Sequence, residues 1–210
     1  MIRTVIVDDH AIVRQGLRQI LEESCEMKVV AEFSNGGDIM RWIRSNDCDV
    51  MLLDISMPGR SGIDVLKQIH EEKTKLAVLI LSIYPEDQYA VRLIKAGASG
   101  YLTKEIAPEI VVEAVRRVAS GKKYISATVA EMLANELGTP RGKLSHETLS
   151  DREYQTLLLL ASARTVSEIA NTMALSVKTV STYRRRILEK MNLRNNAELM
   201  HYAIENHLAE

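Results

Sequence analysis

Asp8 and Asp9 stand directly after the apolar run Thr4-Val5-Ile6-Val7, and Asp54 directly after Val50-Met51-Leu52-Leu53. The second run is too short for a helix and is bounded by Asp49 and the breaker Met57-Pro58-Gly59. Both runs read as buried strands of a parallel sheet. Open α/β sheets bind ligands at the carboxyl ends of their strands, so carboxylates there are functional candidates. Alone, Asp54 reads equally as a cap on the loop after its strand. If the strands are neighbours, however, three carboxylates meet and raise one another's pKa unless a cation neutralises them. Oxygen ligands of this sort suit Mg²⁺. Ser82 closes a further run at 76–81 and Lys104 another at 100–103, which adds a hydroxyl and an ammonium group at the same edge.

A second kind of chemistry lies near the other end of the chain. Lys178, Arg184, Arg185, Arg186, Lys190 and Arg194 face only one acid, Glu189, so a net charge of −1 for the whole chain conceals a basic segment. At 100° per residue Val180, Ile187 and Met191 form one apolar stripe, and Lys178, Thr182 and Arg185 project from the opposite side with Ser181 and Arg186 flanking them. A helix with its apolar side docked and a basic side free has the build of a phosphate-binding recognition helix; the alternative is a solvated charged face. Arg184 falls near the buried side, where its stem packs while its head reaches a phosphate.

The elements that must position these groups follow from periodicity. Strands are expected at 4–7, 28–32, 50–53, 76–81 and 100–103, separated by helical stripes such as Ile12, Val13, Gly16, Leu17, Ile20 and Leu21. Five such units make a doubly wound, five-stranded parallel sheet with helices on both faces, because each parallel connection needs a crossover. This α/β domain is assigned to residues 1–120, ending at Ser120-Gly121. A linker at 121–146 carries a short helix at 128–137 and the Gly/Pro-rich stretch 138–143. From Leu149 the strands vanish. Helices are expected at 151–162, 166–173, 177–191 and 197–206, the first opened by the capping box Ser150-Asp151-Arg152-Glu153, so residues 147–210 form a second, all-α domain.

Composition sets bounds. Two domains suit 210 residues, and 46% hydrophobic with 26% charged residues is ordinary for a globular protein. Aromatic residues are only 4%, which leaves little material for a base-stacking platform. Cys25 and Cys48 have neither redox nor zinc spacing, no apolar run approaches a membrane span, and the chain opens directly on a strand pattern; a cytoplasmic protein without membrane contact is expected.

Taken together, Val5-Ile6-Val7-Asp8-Asp9-His10, Leu53-Asp54-Ile55-Ser56-Met57-Pro58-Gly59 and Gly97-Ala98-Ser99-Gly100-Tyr101-Leu102-Thr103-Lys104 resemble the receiver domain of bacterial two-component response regulators, a flavodoxin-like fold. The resemblance implies that Asp54 accepts a phosphoryl group from a sensor histidine kinase. It implies that Asp9 and Asp54 ligate Mg²⁺, with Asp8 acting through water and Ser56 through its backbone carbonyl. It further implies that Lys104 neutralises the phosphoryl oxygens, and that Ser82 turns to the phosphoryl group with Tyr101 following as a switch. The protein is then a phosphoacceptor rather than an enzyme with turnover, with at most Mg²⁺-dependent self-phosphorylation and self-dephosphorylation; a Mg²⁺-dependent phosphatase on the same edge is the rival reading. Where many receivers place Pro after the Lys, Glu105 stands here. His10 reads as a cap on the first helix rather than a metal ligand, since Mg²⁺ prefers oxygen.

Leu149-Ser150-Asp151-Arg152-Glu153, Glu168-Ile169-Ala170 and Leu175-Ser176-Val177-Lys178-Thr179-Val180-Ser181-Thr182-Tyr183 in turn resemble the LuxR-type helix-turn-helix of the NarL/FixJ family, nearest its GacA/UvrY and BvgA branch. What this implies is a transcription factor that dimerises when phosphorylated and binds double-stranded DNA through Lys178, Ser181, Thr182, Arg184, Arg185, Arg186 and Lys190. Ala163 stands where the family usually has Gly, and Val166-Ser167 where it often has Asn-Lys.

Overall fold

A computed structural model describes residues 1–57, 59–72, 75–138, 145–206 and 208; Pro58 of the expected breaker and residues 139–143 of the Gly/Pro-rich stretch lie outside the described residues. The first part of the chain alternates β1 (Ile2–Val7), α1 (Ala11–Glu23), β2 (Met27–Phe33), α2 (Gly36–Ile43), β3 (Val50–Asp54), α3 (Gly62–Glu72), β4 (Ala77–Ser82), α4 (Glu86–Lys95), β5 (Gly100–Thr103) and α5 (Pro108–Ala119). The strands pair in parallel in the order β2-β1-β3-β4-β5. Strand order therefore reverses between β1 and β3, the point at which doubly wound sheets bind their ligands.

The apolar runs are continuous because both sheet faces are covered. Ile6, Leu52, Leu79 and Leu102 pack under Leu17 and Leu21 of α1 and Val111 and Val115 of α5, and the alternate residues Val5, Val7, Met51, Leu53 and Ile80 are buried on the other face. Each such side chain removed from water contributes about 1.5–3 kcal/mol, which holds the strand ends that carry the polar groups.

By contacts the chain divides into Met1–Leu133 and Ala134–Glu210. The boundary falls inside α6 (Ala127–Gly138), within the stretch read as a linker. The start of that stretch packs on the first unit: Tyr124 bridges to Gly100 at the β5 edge, and the Ser126 hydroxyl donates to Glu86 of α4 at 2.6 Å while accepting from the Val129 N–H.

The second unit holds a 3-10 turn (Ser145–Thr148), α7 (Asp151–Ala161), α8 (Val166–Thr172), α9 (Val177–Met191) and α10 (Asn196–Glu205). The capping box at Ser150 and Glu153 forms as expected, and a second closes on Thr165 and Glu168. His146 Nδ1 lies 2.9 Å from the Tyr202 hydroxyl, tying the turn to α10.

Ala163, in place of the usual Gly, takes φ 58° after α7. The left-handed turn is kept, with the Arg164 N–H donating to Leu159 O at 3.2 Å, at the steric cost an L side chain meets there. Ala163→Gly is expected to stabilise the helical unit by about 1 kcal/mol. A thermal melt should rise by roughly 4–8 °C for a unit of this size, and an unchanged or lower melt removes the strain.

Candidate functional site

Val7 lies opposite Leu53 in the sheet, so Asp8 and Asp54 leave neighbouring strands side by side. Both are wholly buried. Lys104 comes over from β5, where its N–H donates to Ser82 O at 2.8 Å. Its Nζ lies 2.7 Å from Asp8 Oδ2 and 2.7 Å from Asp54 Oδ2. The other oxygen of Asp54, Oδ1, accepts from the Ser56 N–H at 2.8 Å. Both carboxylate oxygens of Asp54 are thus held, which fixes the plane of the group.

Two further residues support this geometry without having been legible as site residues. Gly62 packs against the backbone of Asp54 so closely that a Cβ would lie 2.0 Å from the Asp54 carbonyl oxygen, and only the absence of a side chain lets α3 start there. Arg14 reaches back from α1 and donates to Asp8 O at 2.7 Å. A glycine early in a helix and an arginine beside an apolar stripe are too common to mark a site.

Burial pushes the Asp54 carboxyl above its ordinary range; Lys104 and the Ser56 N–H pull it down without cancelling that, and Asp8 adds to the rise. For Lys104 burial works against the ammonium, yet Asp54 and Asp8 outweigh it and raise its pKa.

The residues present fit a hard cation. Single ligand atoms of Asp8, Asp9, Asp54 and His10 lie within 4.8 Å of one another. Two buried oxygens there, Asp8 Oδ2 and Asp9 Oδ1, make no well-directed hydrogen bond among the described residues, although the Lys104 ammonium lies 2.7 Å from the first and the His10 ring 2.9 Å from the second. Carboxylate oxygens left in that condition are donors of the kind Mg²⁺ takes. His10 occupies the N-cap position of α1, but its side chain makes no capping bond. This corrects the expected role. The imidazole instead turns to the carboxylates, with Nδ1 3.1 Å from Asp8 Oδ1 and 2.9 Å from Asp9 Oδ1, because the acidic pair offers it stronger partners than a helix N–H.

Ser82 and Tyr101 are both tied to one loop residue. The Ser82 hydroxyl accepts from the Tyr84 N–H at 3.0 Å, and the Tyr101 hydroxyl donates to Tyr84 O at 2.8 Å. Tyr101 is buried, which drives its phenol well above the usual value.

In the helical unit, Ser176 caps α9 by accepting from the Thr179 N–H at 3.1 Å. Val180, Ile187 and Met191 are buried as the stripe requires, leaving Lys178, Ser181, Arg185 and Arg186 exposed. Thr182 spends its hydroxyl on Lys178 O at 2.9 Å. Arg184 is half-buried, and its Nε donates to Asn196 Oδ1 of α10 at 2.6 Å. Lys190 is placed differently from its basic neighbours. Its Nζ lies 2.6 Å from Glu153 Oε2, where it closes the cap of α7 and, with Ser150, holds the Glu153 carboxyl below its ordinary range despite burial. An ion pair 37 residues apart in sequence leaves no local signal.

Comparison with known proteins gives two family matches, the response regulator receiver domain over residues 4–116 and the luxR family of bacterial regulatory proteins over residues 147–203. The chain is 38% identical over 209 residues to the response regulator UvrY of Escherichia coli (strain K12), covering 99% of this chain and 96% of that protein. It is 35% identical over 211 residues to the response regulator GacA of Pseudomonas aeruginosa, covering 100% and 99%. Among solved structures it is similar to RcsB from Salmonella enterica serovar Typhimurium bound to promoter rprA in the presence of phosphomimetic BeF3−, with a TM-score of 0.64, 25% identity and coverage of 96% and 97%. It is also similar to the response regulator ChrA of a heme-sensing two-component system, with a TM-score of 0.52, 30% identity and coverage of 99% and 98%.

Proposed function

The chain belongs to the response regulator family, joining a receiver domain to a LuxR-type regulatory domain, and from that premise we propose that phosphorylation of Asp54 controls its binding to DNA. The observation that carries this reading is the Lys104 ammonium held against two buried carboxylates at the β1/β3 switch point. One of those carboxylates has both oxygens fixed and is ready to act as a nucleophile.

In the proposed transfer an oxygen of Asp54 bonds to the phosphorus of a phosphohistidine on a sensor kinase, the P–N bond breaks, and the imidazole leaves with the electron pair. Positioning and charge neutralisation supply most of the catalysis in such a transfer. The Ser56 N–H holds the carboxylate plane, and Lys104 moves its charge onto the incoming phosphoryl oxygens. Asp8, Asp9 and Asp54, with the Ser56 carbonyl, would hold Mg²⁺, which when bound neutralises charge on the phosphoryl group. Ser82 then exchanges the Tyr84 N–H for a phosphoryl oxygen. Because Tyr101 is anchored on the same Tyr84, the start of α4 and the ring shift together, a bistable element biased by one added charge group.

The readout is assigned to α9 entering the major groove, as a homodimer on two half-sites when phosphorylated, with Lys178, Ser181, Thr182, Arg185 and Arg186 facing the DNA and Arg184 reaching a phosphate from beside α10. Lys190 contributes by holding the cap of α7. No helix among the described residues is long and apolar enough to cross a membrane, and the protein is proposed to act in the cytoplasm.

Arg185→Ala is the test of the DNA face. A base-reading arginine is worth about 1–3 kcal/mol, so affinity for a duplex selected from a random pool should fall roughly 5- to 150-fold while phosphorylation is unchanged. Undiminished affinity removes Arg185 from the interface. The rival phosphatase reading predicts repeated turnover of a phosphate ester, whereas the receiver reading predicts a single stoichiometric labelling of the chain.

A further inference from the structure

Beyond the recognition face, the C-terminal half of α9 and the entry to α10 enclose a cleft lined by Arg184, Arg185, Arg194, Glu189 and Glu198, with Asn192 at its turn. The cleft exists because Asn192 adopts the left-handed conformation, φ 55° and ψ 43°, and reverses the chain directly after α9. Its charges are not balanced. Glu198 is occupied with its own helix start: its Oε2 accepts from the Arg194 N–H at 2.7 Å, and its N–H donates to the N-cap Asn195. Among the described residues Glu189 pairs with Arg185, at 3.8 Å. Arg184 spends Nε on Asn196, which fixes the guanidinium, and among the described residues its terminal nitrogens are left for a further acceptor. The Arg194 side chain is exposed, and among the described residues no carboxylate pairs with it. Two guanidinium groups therefore converge on one opening, and the positive end of the α10 dipole lies at the same place.

We propose that this cleft is a second anchor for the DNA, gripping a backbone phosphodiester through Arg194 and the fork of Arg184, outside the stretch of α9 that reads bases. The inference rests on the DNA-binding reading above and deepens it. Arg185 both lines the cleft and lies on the exposed side of α9 with Lys178, so a duplex seated on that helix continues naturally onto the cleft. Guanidinium is the group whose planar donors match phosphate oxygens. A phosphate contact positions the protein and carries no sequence information. Arg194 should therefore contribute affinity and salt dependence, and leave base preference untouched.

The experiment measures affinity of the full chain, treated with a small phosphodonor, for a duplex selected from a random pool, across a salt series. Arg194→Ala should lower the slope of log K against log salt by about 0.9 per bound chain and weaken binding uniformly on the selected duplex and on its scrambled counterpart. Arg194→Lys should keep the parent slope, since it retains the charge. The inference is overturned if Arg194→Ala keeps the parent slope, or if it weakens the selected duplex alone, which would mark a base contact. If Arg194→Ala fails to fold by circular dichroism, Arg194→Gln is read in its place by the same criteria. A parent chain with no salt-dependent affinity for any duplex would remove the DNA reading itself, a result distinct from failure of the cleft.

Discussion

Asp54→Asn should take labelling by a small phosphodonor from stoichiometric to none, and with it the phosphodonor-dependent change in DNA affinity. The amide keeps the shape of the side chain, so the Ser56 N–H retains an acceptor and the fold survives; what is lost is the anionic nucleophile. The variant also has a distinctive stability profile. Burial holds the Asp54 carboxyl above its ordinary value of 3.8, so the folded parent binds that proton more tightly than the unfolded chain does. Parent stability in the absence of divalent cation must then fall as pH rises from the ordinary carboxylate range through the raised value, and the ionised group goes on costing stability above it. Asp54→Asn removes that slope. Denaturant titrations with a chelator present, from acid to neutral pH, should show the parent losing ground to the variant as pH rises. Retained label in the variant sinks the assignment of the phosphoacceptor, and parallel pH profiles sink the account of its burial.

Lys104→Met should have the largest effect on stability. Its ammonium is the cation between Asp8 and Asp54, and removing one member of a buried ionic cluster leaves uncompensated charge, at a cost of about 3–5 kcal/mol. A domain stable by roughly 5–15 kcal/mol would feel this strongly. The contribution of Lys104 is fully present below the ordinary lysine value of 10.5, because its pKa in the folded chain is raised, so at neutral pH the whole loss should be seen. Mg²⁺ should restore more stability to the variant than to the parent, since in the parent the ammonium already neutralises the same oxygens. A loss below about 1 kcal/mol, the range of exposed pairs, would show that the carboxylates are better solvated than their burial implies.

The elements of both units were readable because their signals are local. A strand buried on both faces must be a short continuous apolar run, and each of the five runs became a strand within about two residues at either end, the uncertainty expected of boundaries. The stripe of Val180, Ile187 and Met191 placed the docked side of α9, and Ser150 with Glu153 three residues later marked the start of α7. The acidic residues and Lys104 were legible as strand-end groups for the same reason.

What the chain alone determined, then, was which residues end up at the carboxyl edge of a sheet and which side of a helix stays wet, since both follow from the period of the backbone. Only the tertiary structure decided the partners. The order β2-β1-β3 made Asp8 and Asp54 neighbours, folding brought Lys104 between them, and His10 gave up the helix cap for the carboxylates. Lys190 was claimed by Glu153 and Arg184 by Asn196, while Gly62 was left as the one residue small enough to pass Asp54. Charges pair by distance in space, and groups separated by tens of residues acquire that distance only when the packed core closes between them.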